Sequence, residues 1–188
     1  MHLRNIVLVL VIVAAAAVQG CVALDLLPPN PVSKAIERSD DADRLRETMR
    51  QAGLDDAVTR VRRMEHACKP PDALMQRDYA YFYVAEVAKI PDAFWAGEAA
   101  QRHWQRGPAH GAVQKDALRT AIGFNDSPDC PWLPTQADMD SSRFMLAFLR
   151  IASSEGGSED PSWHEVNEVS MLAYDTRTSK LYYLSASL

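Results

Sequence analysis

The chain has 188 residues, of which 47% are hydrophobic and 24% are charged, and its formal net charge is −5. These values are typical of a globular protein rather than a disordered chain, and the negative charge disfavours a nucleic-acid-binding role. No internal repeat or low-complexity segment is visible in the sequence.

The first twenty residues have the order of properties of an export signal. Arg4 precedes an apolar run from Ile6 to Val18, and small residues follow before Cys21. A membrane-spanning helix needs about 20 predominantly apolar residues, and this run is shorter. The sequence therefore predicts a signal peptide over 1–20 rather than a permanent transmembrane anchor.

The segment Val18-Gln19-Gly20-Cys21 resembles the lipobox of bacterial lipoproteins, although Gln19 stands where Ala or Ser is commoner. The resemblance implies that Cys21 carries a diacylglycerol and an amide-linked acyl chain such as palmitate, which together anchor the protein in the lipid bilayer. Val22, in place of Asp, implies the periplasmic face of the outer membrane, with the inner membrane as the alternative. Ordinary secretion, with cleavage after the alanine run at 14–17, remains the competing interpretation.

The residues after the lipobox are rich in proline. Pro28, Pro29 and Pro31 lack backbone donors and favour extended conformations, so 21–32 is predicted to be a lipidated N-terminus and tether. A coil packed on the domain is the alternative. The remaining residues, 33–188, fit one globular domain.

Helices are predicted over most of the domain. The segment 33–51 is charge-rich and ends before Gly53, which is typical of a surface helix. Apolar residues at spacings of three and four predict two further helices, over 54–68 and 72–90. Their apolar faces comprise Leu54, Val58, Val61, Met64 and Cys68 in the first, and Tyr79, Phe82, Tyr83, Val87 and Ile90 in the second.

Three more helices are predicted over 92–106, 109–122 and 138–154, with a proline-rich loop at 125–135. The segments 166–174 and 181–187 are rich in strand-forming residues and flank a polar connection, which predicts a β-hairpin. The expected fold class is α+β, a mostly helical single domain with a C-terminal β-hairpin.

The cysteine count indicates a disulfide. If Cys21 is lipidated, Cys68 and Cys130 remain as an even pair in an oxidising compartment, so we expect them to be joined. A metal site using His66, Cys68 and Cys130 is the alternative, but the chain lacks the paired C-x-x-C or H-x-x-x-H spacing of such sites. We therefore expect neither a metal nor another cofactor.

The sequence contains none of the common catalytic or nucleotide-binding motifs. The nucleophile elbow, H-E-x-x-H, the Walker loop and G-x-G-x-x-G are all absent. We therefore expect no catalytic residue and no enzyme activity. The alternative is an envelope hydrolase that uses His103 or His164 with a nearby carboxylate. The four-residue spacing of His103 from Ala99 and Trp95 predicts that it faces the apolar side of a helix, where a structural role is the commoner one.

Two aromatic residues are candidate interface residues. Tyr81 lies off the main apolar stripe of its predicted helix, and Trp132 lies between prolines in a loop. The sequence thus favours a lipid-anchored protein-binding module with an envelope protein as partner. Either an accessory role in an envelope assembly or a role as an immunity protein that neutralises a toxin agrees with this interpretation.

Overall fold

The computed structural model describes residues 31–68, 79–123, 130–153 and 166–187; the side chains of 31–39, 66–68 and 79 lie outside the description. The described residues from 38 to 187 belong to one compact unit. The signal peptide and residues 21–30 of the expected tether lie outside the described residues. Pro31 and Val32, expected at the end of the tether, belong to a helix instead.

Five helices and six strands occur in the described residues. The helices are α1 (Pro31–Gln51), α2 (Asp92–Trp95), α3 (Glu98–His103), α4 (Gly111–Ile122) and α5 (Gln136–Met139). The strands are β1 (Val61–Cys68), β2 (Tyr79–Val87), β3 (Gln105–Arg106), β4 (Phe144–Ser153), β5 (Val166–Asp175) and β6 (Lys180–Ser187).

All six strands form one antiparallel sheet in the order β1-β2-β6-β5-β4-β3. The hairpin of β5 and β6 lies at its centre, between β2 on one side and β4 on the other. Ser179 takes a positive φ of 56° at the end of the connecting turn. The antiparallel pairing of β5 with β6 confirms the predicted hairpin.

Each face of the sheet is covered by a buried apolar cluster, because successive side chains of a strand point to opposite faces. In β2, Phe82 and Val84 belong to the first cluster, which includes Leu118 of α4. Tyr83 and Ala85 belong to the second cluster, which includes Leu45 and Met49 of α1. The central strands are thus buried on both faces.

The expected fold class is wrong, because the described domain is built on the six-stranded sheet rather than on helices. Two of the predicted helices are confirmed: α1 covers 33–51, and α4 covers most of 109–122. The predicted helix over 92–106 is instead two short helices followed by β3.

The predicted helix over 54–68 is wrong, because 61–68 form the edge strand β1. Its pairing with β2 shifts register between Val61 and Arg63 and again between Met64 and His66. Each bulge adds a residue, so Val61 and Met64 reach the same apolar cluster at a helix-like spacing of three. The bulges therefore gave the apolar residues of this edge strand a spacing that is typical of a helix.

The predicted helices over 72–90 and 138–154 are also wrong, because 79–87 form β2 and 144–153 form β4. Residues 72–78 and 154 lie outside the described residues. Both strands bury side chains on two faces, so they read as continuous apolar runs without a period of two. In β4, Phe144 and Leu146 join the first cluster, whereas Met145 and Ala147 join the second.

Candidate functional site

The face of the sheet that carries the second apolar cluster, beneath α1, changes from apolar to polar along its strands. Near the hairpin turn it carries Leu172 and Tyr174. Farther along, the register aligns Tyr81 of β2 with Ser185 of β6, Ser185 with Ser170 of β5, and Ser170 with Arg150 of β4. Together with α1, this polar row forms an open groove of about 540 Å³, which we call the sheet groove.

The sheet groove is lined by side chains from α1 and four strands: Arg44, Gln51, Tyr81, Leu149, Arg150, Glu168, Ser170, Tyr183 and Ser185. Its volume lies in the range of about 300–1,000 Å³ that is usual for ligand pockets. The lining contains hydroxyl, amide, guanidinium and carboxylate groups beside two aromatic rings. This composition suits a polar ligand or a polar segment of a protein.

Tyr81 and Arg44 form the wall of the groove at β2. The Arg44 guanidinium carbon lies 5.5 Å from the centre of the Tyr81 ring, which is a cation–π contact. Tyr81 is half-buried, and Arg44 is exposed. Among the described residues, Arg44 makes no ion pair. Of the two predicted interface residues, Tyr81 is therefore part of the groove.

The floor of the groove consists of hydroxyl groups. Ser185 is only 6% exposed, yet its hydroxyl makes no hydrogen bond within the described part of the chain. The Ser170 hydroxyl lies 3.4 Å from that of Tyr183. At the far end, Arg150 and Glu168 form an ion pair at 3.1 Å. The floor thus offers donors and acceptors that the protein itself uses little.

Tyr83 packs beneath α1 next to the groove and stacks on Tyr183, with ring centres 5.5 Å apart. Burial raises the pKa of Tyr83 far above its ordinary value, and the nearby Asp41 carboxylate raises it further, while Arg44 opposes the shift. The Tyr83 hydroxyl therefore stays protonated. Asp41 and Arg44 both lie close enough to Tyr83 to act on it.

A second depression, of about 570 Å³, lies at the end of α1 and the segment that follows it. Most of its charged groups have partners: Asp43 pairs with Arg46 at 2.6 Å, and Arg50 pairs with Glu47. The Asp55 carboxylate accepts hydrogen bonds from the following backbone amides. Because its polar groups are used locally, this depression is a weaker candidate than the sheet groove.

Trp132, the other predicted interface residue, is half-buried and packs against the first apolar cluster. It is therefore separate from the sheet groove, on the opposite face of the sheet. The turn that contains it also holds Cys130, which is fully buried.

Cys130 is disulfide-bonded. The chain has three cysteines, so its partner is Cys21 or Cys68. Cys21 and the side chain of Cys68 lie outside the described residues. In the backbone register Cys68 is paired with Phe82, a member of the same buried cluster as Cys130. This placement supports the pairing of Cys68 with Cys130, which stays a prediction.

The histidines are not gathered at the groove. His103 and His110 are exposed, so the expectation that His103 faces an apolar side is wrong. The side chain of His66 and the whole of His164 lie outside the described residues. Within the described ranges, no group of three His, Cys, Asp or Glu side chains could hold a metal ion.

Sequence reasoning missed Arg44, Ser170 and Ser185. A signal for the serines was present, because Glu168, Ser170, Ser185 and Ser187 alternate with apolar residues at one end of the predicted hairpin. This alternation indicates a polar stretch on one face of the sheet. No comparable signal existed for Arg44, since its role depends on how α1 packs on the sheet.

No helix in the described part of the chain is both long and apolar enough to cross a membrane. Comparisons with protein-family models, with curated proteins and with solved structures find no significant match.

Proposed function

We propose that the chain is a lipid-anchored envelope protein that binds a partner protein through the sheet groove. The anchor is Cys21, which faces the periplasm at the outer membrane, and the partner is another envelope protein or an exported toxin. The observation that carries the proposal is the groove wall formed by Tyr81 and Arg44. Tyrosine and arginine are among the residue types that are enriched in the energetically dominant positions of protein interfaces.

The shape of the site supports binding by preformed residues. Tyr183 is 8% exposed and is stacked on Tyr83, so the inner wall of the groove is held by packing. A rigid aromatic side chain loses little conformational entropy when a partner binds. The groove therefore has the properties of a preformed contact surface.

An envelope hydrolase is the competing proposal. It requires a histidine within hydrogen-bond reach of a carboxylate and beside a cavity. His103 and His110 are exposed and do not line the groove. Separate substitutions of His103 and His164 by Ala test this idea, because loss of the cellular phenotype with either variant would favour the enzyme.

Site-specific crosslinking in intact cells tests the binding proposal. A photoreactive phenylalanine analogue replaces Tyr81 in the full-length lipoprotein, and the same analogue replaces Val113 as the control. Val113 is an exposed, large apolar residue of α4, on the other side of the sheet. We expect a discrete protein adduct at Tyr81 and none at Val113. The absence of any adduct at Tyr81, or equal adducts at both positions, would contradict the proposal.

A further inference from the structure

We propose that the sheet groove takes an extended peptide segment of the partner and that an acidic side chain of this segment binds Arg44. This inference rests on the proposed function and adds the chemistry of the partner. It depends on the charges, the hydroxyl groups and the dimensions of the groove.

Arg44 differs from its neighbours on α1. Arg46 is paired with Asp43, and Arg50 is paired with Glu47, whereas Arg44 makes no ion pair among the described residues. Asp41, one turn earlier on the same helix, is not within ion-pair distance of it. The guanidinium of Arg44 is instead placed over the Tyr81 ring.

The cation–π contact favours a guanidinium position near the Tyr81 ring, and within the described residues no carboxylate pairs with its N–H donors. A carboxylate can accept two parallel hydrogen bonds from such a group. Arg44 is thus arranged as a carboxylate-binding group, and a ligand carboxylate would supply the charge partner that the protein does not.

The far end of the groove favours a neutral group. Arg150 is neutralised there by Glu168, so a second ligand carboxylate would gain little and would be repelled by Glu168. The central floor offers the hydroxyls of Ser170 and Ser185. The ligand is therefore acidic at the end near α1 and uncharged but hydrogen-bonding along the rest.

The dimensions fit an extended segment. The row from Tyr81 to Arg150 crosses four adjacent strands. Three strand spacings of about 4.8 Å give about 14 Å, which about four extended residues would span. The backbone groups of the sheet are already used in its ladders, so the floor side chains would have to bond the peptide backbone.

The experiment uses full-length lipoprotein in detergent micelles and three C-terminally amidated hexapeptide libraries. The libraries fix Glu, Gln or Lys at the third position and are random elsewhere. We expect the Glu library to be retained at least about fivefold better than the Gln library. Replacing Glu by Gln removes the charged, hydrogen-bonded pair between the peptide carboxylate and Arg44. Equal retention of the Glu and Gln libraries would overturn the inference.

Charge reversal on α1 supplies matched variants. Arg44→Glu should abolish the preference for Glu and create one for Lys, whereas Arg46→Glu, with the same charge change outside the groove, should leave the preference intact. Equal effects of the two substitutions would show a general charge effect and overturn the inference. Ser185→Ala should weaken retention of the Glu library without changing which library is preferred; unaltered retention would contradict the role of the floor.

Three further outcomes are informative, and the last two show whether the inference or the proposed function has failed. If a peptide binds only with a free C-terminus, the carboxylate comes from a chain end, and the inference as stated is wrong. If the Tyr81 crosslink captures the same partner equally in wild-type and Arg44→Glu cells, the inference fails while the proposed function stands. If wild-type cells give no Tyr81 adduct although the Glu library binds, the proposed function fails instead.

Discussion

Arg143 Nε donates a 2.8 Å hydrogen bond to Oδ1 of Asp175, and a second guanidinium nitrogen pairs with Oδ2 of the same carboxylate. Asp175 is fully buried at the start of the turn between β5 and β6. The Thr178 hydroxyl and the Arg177 backbone amide also donate to it, at 2.6 and 3.0 Å. One carboxylate thus organises the turn of the central hairpin.

Asp175→Asn should destabilise the fold by about 2 to 3 kcal/mol, because it removes a fully buried carboxylate that is the charge partner of the half-buried Arg143. Urea unfolding monitored by circular dichroism measures this change. Asp43→Asn is the matched control, since Asp43 forms an exposed ion pair and its loss should cost less than about 0.5 kcal/mol. A similar small cost for both variants would show that the turn does not depend on Asp175.

The same carboxylate predicts a pH dependence of stability. Burial alone would raise the pKa of Asp175, but hydrogen bonds from Arg143, Thr178 and the Arg177 amide outweigh it and lower the pKa from 3.8 to about 2. Because the folded-state pKa is depressed, the stabilisation is fully present above about pH 4. It is lost as the pH falls from 4 towards 2, and it amounts to at most about 2 kcal/mol.

Unfolding free energies measured at intervals between pH 6 and 2 test this dependence. The wild-type protein should lose more stability in the interval from pH 4 to 2 than Asp175→Asn does. Parallel curves for the two proteins would contradict the prediction.

Trp104 should be more important for stability than the neighbouring Trp95. The Trp104 indole donates a buried 2.7 Å hydrogen bond to the Ala52 carbonyl oxygen, directly after α1. Trp104→Phe removes this donor and leaves the carbonyl buried, so we expect a loss of about 1 to 3 kcal/mol. Trp95 contacts the Trp104 and Tyr174 rings without such a bond, and Trp95→Phe should cost less than half as much. Urea unfolding curves compare the two, and the reverse order would count against the prediction.

Non-reducing peptide mapping should recover Cys68 linked to Cys130. The structure shows Cys130 in a disulfide, and the register aligns Cys68 with the cluster that contains Cys130. A peptide joining Cys21 to Cys130 would contradict both this pairing and the lipidation of Cys21. Reduction should then lower the thermal midpoint, since a crosslink over about 60 residues contributes about 4 kcal/mol.

Mass spectrometry of the membrane-extracted protein should give a mature N-terminus at Cys21 carrying acyl chains. Cys21→Ser should move the protein from the membrane fraction to the soluble envelope fraction or leave its signal peptide uncleaved. An unmodified Cys21 in the wild-type protein, or a mature N-terminus upstream of it, would contradict the lipoprotein prediction. The Cys68→Ser and Cys130→Ser variants are controls that should stay in the membrane fraction.

The sequence allowed the terminal hairpin, α1 and α4 to be predicted because each carries an unambiguous local pattern. β2 and β4 were predicted as helices because strands buried on both faces have no period of two, although the run Tyr79 to Val84 is rich in strand-forming aromatics. β1 was mistaken for a helix because of its bulges. The sheet groove could be predicted only through Tyr81, since its other wall depends on the packing of α1 and on pairings between strands distant in sequence.

The strand order has a consequence for how this protein is made. Residues 166–187 occupy the middle of the sheet, yet they leave the ribosome after all the other described strands. Until they arrive, β1 with β2 and β3 with β4 have nothing to join them, and their apolar faces and inner edges stay uncovered. A nonsense mutation that removed only the hairpin would therefore leave the inner edges of β2 and β4 without pairing partners and open to aggregation.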